Sequence, residues 1–343
     1  MLALLTLVVG GLIWAYRAIK ASPPPPKVCL LKYKNSLVSP WIRLSDGRYL
    51  AYKIRGAAKK YAKHHVILSH GFCCSKDTYI PLSDEWLAEH GICLIAIDRP
   101  GYAESDPNPN RSPKSDAKDI EELADALRLG PKLYVIGLSM GNYPVWGCLK
   151  YIPHRFAGVA LVVPVVNYWW PSLPHELCSS VFSKLDLAER LRLHILHRAP
   201  KLAWMLRSCL PWPTVHSMLK KNPRAFNESD MRIMNFLWSL PAPDKDKIQQ
   251  QGDYVSLHKD MEVSFGKWEF DPLNIDNPFL DNKGRAHLWI GDEDGVISHD
   301  LQRYISWKLP WVHCHEVPGG GHSIVHDAAI CEMIFKSLCL ENN

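Results

Sequence analysis

Short apolar runs recur along the chain, separated by stretches with a mixed, helix-like pattern. The runs occupy residues 66–69, 92–97, 133–137, 159–163, 286–290 and 312–317. None alternates apolar with polar residues, so each strand is expected to be buried on both faces, as in a parallel sheet covered by helices on both sides. Alternation with helical stretches predicts βαβ crossovers and a mostly parallel, doubly wound α/β sheet. Ahead of these runs, residues 41–44 and 49–54 read as two strands around Ser45-Asp46-Gly47, a turn sequence.

The rhythm breaks once. Between Val163 and Ala286 lie roughly 120 residues with no convincing strand, too many for a loop inside a compact domain. The segment is expected to be an inserted helical subdomain, with helical patterns at 183–196 and 200–210 broken by prolines. Its tryptophans (Trp169, Trp170, Trp204, Trp212, Trp238 and Trp268) read either as ordinary core or as the lining of an apolar pocket beneath a lid. The expected organisation is a core in two parts, 39–164 and 285–343, around a helical lid at 165–284. No internal repeat is visible.

The N-terminus follows a different pattern. Residues 1–16 carry no charge and as a helix would span roughly 24 Å, somewhat short of the ~30 Å hydrocarbon core of a bilayer. Arg17 and Lys20 can snorkel to make up the difference. No basic region precedes the apolar stretch, which argues against a cleaved signal peptide. The positive flank lies on its C-terminal side, which predicts a membrane anchor at 1–20 with the folded part in the cytosol, at the endoplasmic reticulum. Residues 21–38 form a basic linker whose Pro23-Pro24-Pro25-Pro26 run is a stiff spacer.

Composition narrows the classes further. At 343 residues, with 47% apolar and 22% charged residues, the chain is globular; disorder, collagen and coiled coil are excluded. The net charge of +5 resides in Arg17, Lys20, Lys27, Lys32 and Lys34, with no acidic residue among the first 34. The remainder is neutral, which argues for a membrane surface and against nucleic acid as the partner. The 10 cysteines are scattered without paired or zinc-type spacing, and read as free thiols in a reducing compartment. Two sequons, at Asn110 and Asn227, keep a luminal location open.

The clearest chemistry is Gly137-Leu138-Ser139-Met140-Gly141, placed between an apolar run and a helix-like stretch. This is G-x-S-x-G at a strand-to-helix elbow, where small residues let the chain turn sharply and present Ser139 as a nucleophile. A serine hydroxyl needs a base. Of 16 histidines, His322 follows Gly319-Gly320-Gly321 just beyond the last strand, on a loop able to reach the sheet edge; His313 and His315 read as structural. The base needs an acid to orient it, and Asp294, in Asp292-Glu293-Asp294 after the run 286–290, is the expected partner. Backbone amides of Phe72, after His70-Gly71, and of Met140 are expected to hold the oxyanion. His70, Gly71, Asn142 and Tyr143 are expected beside the substrate. No cofactor or metal is implied.

Together, His70-Gly71-Phe72, Asp98-Arg99-Pro100-Gly101-Tyr102, the Ser139 elbow, Gly291-Asp292-Glu293-Asp294 and Gly320-Gly321-His322 resemble the α/β-hydrolase superfamily over residues 40–327. The leader with its proline run, and the stretch from Trp146 to His154, are similar to a plant group of membrane-anchored or uncharacterised α/β-hydrolases. The resemblance implies the α/β-hydrolase fold and a carboxylesterase- or lipase-like serine enzyme. Its substrate would be an ester of an apolar small molecule or lipid, cleaved through an acyl-enzyme. Acyl transfer or another specialised-metabolism reaction on the same residues, or a ligand receptor that retains them, are the alternatives. Two departures from the superfamily pattern stand out: Asn142-Tyr143 where a second glycine is usual, and Ala103 where glycine is common.

Overall fold

Both faces of the sheet are covered, which is why its strands are continuous apolar runs. The computed structural model describes residues 9–11, 13, 16, 39–206, 225–241, 248–251, 255–279 and 285–340. The strands are β1 (Trp41–Arg43), β2 (Tyr49–Gly56), β3 (His64–Ser69), β4 (Ile92–Ile97), β5 (Leu133–Leu138), β6 (Phe156–Val162), β7 (Arg285–Gly291) and β8 (Val312–Val317). They form one sheet in the order β1-β2-β4-β3-β5-β6-β7-β8. The β1–β2 and β2–β4 pairs are antiparallel, and every later pair is parallel.

Successive residues of one strand enter opposite cores. Val135, Val159, Leu161 and Leu288 pack into one apolar cluster, while Ile136, Ala160, Val162 and Trp289 pack into the other. The period of two is present in the structure but invisible in the sequence, because both faces demand apolar side chains. β8 departs from the expectation of burial on both faces. It lies at the edge of the sheet, and His313, Cys314 and Glu316 are exposed.

Helices fill the connections: α1 (Asp84–Glu89), α2 (Pro113–Ala126), α3 (Asn142–Tyr151), α4 (His175–Ser183), α5 (Leu187–Arg198), α6 (Pro200–Leu206), α7 (Glu228–Ser239), α8 (Val255–Phe265), α9 (His299–Lys308) and α10 (Ala328–Phe335). α2 begins at a capping box in which the Ser112 and Ser115 side chains serve each other's backbone amides, with Pro113 at the first helical position. Between β6 and β7 the described residues hold helices and no strand. The helix expected over 183–196 is α5, which runs from Leu187 to Arg198. α4 ends at Ser183, and α5 starts anew because Asp186 caps it by accepting the Glu189 amide at 2.8 Å.

The register aligns the ends that matter. Ser69 stands opposite Gly137, Gly137 opposite Leu161, and Gly291 opposite Val317. The loops after β3, β5, β7 and β8 therefore leave the sheet along one edge, at the C-terminal ends of parallel strands. The expected anchor and linker lie outside the described residues, apart from positions 9–11, 13 and 16, which are helical and exposed. Among the described residues no helix is long and apolar enough to cross a membrane.

Candidate active site

β5 ends at Leu138 and α3 begins at Asn142, so the chain turns within Ser139, Met140 and Gly141. Ser139 takes φ = 50°, in the left-handed region that side chains other than glycine avoid. Steric limits fix the two glycines. A Cβ on Gly137 would sit 2.6 Å from Asn142 Oδ1, and one on Gly141 would sit 2.1 Å from the Ser69 carbonyl oxygen. No side chain fits at either position, which is the physical content of the G-x-S-x-G pattern here.

Ser139, His322 and Asp294 meet. His322 Nδ1 lies 2.8 Å from Asp294 Oδ2, and His322 Nε2 lies 3.1 Å from Ser139 Oγ. A carboxylate can only accept, so Nδ1 donates its proton to Asp294 and Nε2 is left to accept from the serine hydroxyl. Asp294 is buried and held by its own loop, its Oδ1 accepting the amides of Val296 at 2.8 Å and Ile297 at 2.9 Å. Burial opposes a charged imidazole. The charge of Asp294, its hydrogen bond and the charge of Asp230 outweigh burial and hold the His322 pKa above its usual value. The neighbouring carboxylates are used differently: Glu293 accepts from Asn227 at 3.0 Å, and Asp292 makes no contact with His322.

The loop after β3 is set by buried charge. His70 Nδ1 donates to the Gly71 carbonyl at 2.8 Å, and its Nε2 accepts the Arg99 amide at 3.1 Å. Burial, then the Arg99 charge, push the His70 pKa well down, so the ring stays neutral and orients the loop. Arg99 also donates to the Gly71 carbonyl at 2.9 Å and forms a buried pair with Asp260 of α8, which Arg111 and Tyr102 join. Phe72 and Met140 flank Ser139 on one cavity wall, and among the described residues no acceptor takes the Phe72 amide.

Ser139 and His322 open onto a cavity of about 340 Å³. Its walls are largely apolar, with Val163 and Val165 after β6, Leu193 of α5, Met234 of α7, and Met261 and Phe265 of α8. Gly71 lies on the wall; His70, Asn142 and Tyr143 do not. The expectation that Asn142 faces substrate is corrected. Its side chain is fully buried and turned toward the sheet, where Nδ2 donates to the carbonyls of Ser139 at 2.9 Å and Val162 at 3.0 Å. Tyr143 is buried edge-on against Trp268 at 5.3 Å.

The tryptophans of the insertion divide between the two roles read for them. Trp170 is core and Trp268 packs against it at a tilt, while Trp238 lines the cavity and stands 55% exposed. Trp212 lies outside the described residues.

Sequence reasoning missed three residues. Asp230 of α7 accepts the backbone amides of His322 and Ser323. Asp260 pairs with Arg99 across the fold. Val163 adopts φ = 41° where β6 ends, a costly conformation for a β-branched residue, and enters the cavity wall there. Nothing in the local sequence marks the two aspartates. The side chain of Asn227, in the second sequon, caps α7 and donates to the Gly319 carbonyl. Among the described residues, no group of three His, Cys, Asp or Glu side chains is placed to hold a metal ion. His287, pushed down to about 3 by burial and by His315, contacts His315 in a ring cluster on Trp289.

Fold and site together define an α/β protein with a serine, histidine and aspartate in relay at the C-terminal edge of a parallel sheet. The chain belongs to the alpha/beta hydrolase family, whose model matches residues 66–332. Among curated proteins no relative matches the sequence. Solved structures share the fold at low identity. The enol-lactonase from Burkholderia xenovorans LB400 superposes with a TM-score of 0.57 at 15% identity, covering 87% of this chain and 97% of its own. The esterase RhEst1 from Rhodococcus sp. ECU1013 gives 0.56 at 16% identity, with coverages of 87% and 97%. A thermophilic esterase from Thermogutta terrifontis gives 0.52 at 18%, with coverages of 87% and 96%.

Proposed function

We propose that this protein is a serine hydrolase that cleaves an ester of an apolar small molecule or lipid. One observation carries the reading: the unbroken hydrogen-bond chain Ser139–His322–Asp294 at the wall of a largely apolar cavity. Ser139 Oγ attacks the ester carbonyl carbon as its proton passes to His322 Nε2. The carbonyl oxygen becomes an oxyanion held by the amides of Phe72 and Met140, each worth roughly 3 kcal/mol in the transition state. His322 returns the proton to the departing alkoxide, leaving Ser139 acylated. Water then repeats the sequence and releases the acid. Asp294 keeps its charge throughout, orienting the ring and stabilising the imidazolium. The fold is shared with proteins described as esterases and as an enol-lactonase, which is consistent with ester chemistry.

The apolar leader with its basic flank supports a second element of the proposal. It anchors the protein to a membrane of the endoplasmic reticulum with the folded part in the cytosol, so a lipid-soluble ester reaches the cavity without crossing bulk water.

Fluorophosphonate labelling tests the nucleophile. The Ser139 Oγ–P bond forms, the P–F bond breaks, and fluoride leaves while the hydroxyl proton moves to His322. Ser139→Ala abolishes labelling without altering the thermal midpoint, because one oxygen is removed. Asp294→Asn leaves labelling detectable but slower by about 10⁴-fold. Undiminished labelling of the alanine variant, or a larger loss from Asp292→Asn, refutes the assignment. An ester panel run with and without added alcohol separates hydrolysis from acyl transfer.

A further inference from the structure

The loop that carries His322 is held from two sides. Asp294 takes the imidazole, and Asp230 takes the backbone: its Oδ2 accepts the His322 amide at 3.1 Å and its Oδ1 accepts the Ser323 amide at 2.7 Å. Asp230 is not part of the sheet scaffold. It lies in the first turn of α7, in the insertion, and is completely buried. The fit leaves no slack, since a Cβ on Gly321 would sit 2.0 Å from Asp230 Oδ2. Glycine at 321 is therefore required by this carboxylate.

Asn227 fastens the same helix end to both loops. Its Oδ1 caps α7 through the Asp230 amide at 2.8 Å, while its Nδ2 donates to Gly319 O at 2.9 Å and to Glu293 Oε2 at 3.0 Å. Further along α7, Met234, Leu237 and Trp238 line the cavity. One helix thus touches the acid loop, the base loop and the space substrate would fill.

We infer that Asp230 is a positioning residue of this site: carried by α7, it fixes the His322 loop and places a second carboxylate charge beside the imidazole, so the base is fully assembled only while α7 is seated. The inference rests on the reading of His322 as the general base. Four groups bear on the imidazole. They are Asp294 from the loop after β7, Asp230 from α7, Ser139 from the elbow, and His326, which follows on the same loop and lines the same cavity. Glu293 is engaged by Asn227. Asp294 and Asp230 favour the charged ring, and a charged His326 would oppose it. Burial lowers the His326 pKa, so that ring is neutral where the base works.

The test uses the full chain and needs no knowledge of the substrate. The second-order rate of fluorophosphonate labelling is followed from about pH 5 to about pH 9 for the wild type, Asp230→Asn and Asn227→Ser. Asp230→Asn loses the charge and turns an amide donor toward a backbone donor. Its rate plateau falls by about tenfold, and the midpoint of its acid limb moves down by about half to one pH unit. Asn227→Ser keeps an oxygen that can cap α7 but loses both bonds from Nδ2. It shifts the midpoint in the same direction by less. A lower plateau and thermal midpoint with an unmoved acid limb means that Asp230 serves folding alone, and overturns the inference. If Asp230→Asn does not fold, the Asn227→Ser midpoint decides by the same criterion. A wild type unlabelled at Ser139 removes the hydrolase reading, and this inference with it.

Discussion

Asn142 opens the helix behind Ser139, yet its amide faces the sheet and not the cavity. The carbonyls of Ser139 and Val162 both accept from its Nδ2, and that of Ser139 also takes the Val165 amide at 3.5 Å. Its Oδ1 closes the space over Gly137. Asparagine here braces the strained turn, a task that a glycine could not perform. Asn142→Ala should therefore cost about 1–3 kcal/mol of stability through the two hydrogen bonds lost. It should slow every ester of a panel by a similar factor. Urea unfolding and kcat/KM across chain lengths measure the two effects, and a selective loss for one ester would return Asn142 to the substrate side. Residue identity announced this position as unusual; only the rotamer settled its role. The same holds for Ala103, which takes φ = 42° where relatives of this superfamily commonly place glycine.

At the scale of elements, the insertion is fastened to the core by charge at two places, α7 at Asp230 and α8 at Asp260. Asp260 is fully buried and accepts from Arg99, Arg111 and Tyr102. Burial alone would raise its pKa, but the two guanidinium groups outweigh burial and hold it below the usual carboxylate value. A depressed folded-state pKa contributes stability above the unfolded value, and that stability is lost as pH falls through the folded one. Removing one partner of such a cluster strands buried charge, so Asp260→Asn should cost about 3–5 kcal/mol in urea unfolding. Arg303 and Glu316 make a comparable contact at the surface, and Arg303→Ala should cost about 0–1 kcal/mol. Equal costs for the two variants would mean that the buried cluster does not anchor α8. Because Arg99 also holds the Gly71 carbonyl, α8 bears on the loop after β3 as α7 bears on the His322 loop.

For the whole molecule, strands before and after the insertion join in one sheet, and an apolar leader with a proline run precedes them in the sequence. Deleting residues 1–20 should move the protein from the membrane pellet to the supernatant while hydrolysis of a water-soluble ester persists. On the proposed anchoring, the uncharged residues 1–16, joined through prolines, hold the membrane and add nothing to the packing of the core. Loss of folding on deletion, or a truncated protein still in the pellet, would refute the anchor.

What the sequence determined by itself was whatever has a local cause. Strands β3 to β7 were legible because continuous apolar runs between helical stretches leave few alternatives to a doubly wound sheet. The elbow was legible because steric contact at Gly137 and Gly141 excludes every side chain, and this constraint is written into the sequence as a pattern. Asp294 and His322 followed from the loops that such a sheet must present at one edge. Tertiary structure alone decided contacts between distant positions. Asp230 reaches His322 across 92 residues of chain, and Arg99 meets Asp260 across 161. No periodicity encodes either pairing, because a lone aspartate in a helix reads as a solvated charge until packing buries it against a partner. The side of α3 on which Asn142 lies was decided in the same way, by the close approach of the sheet.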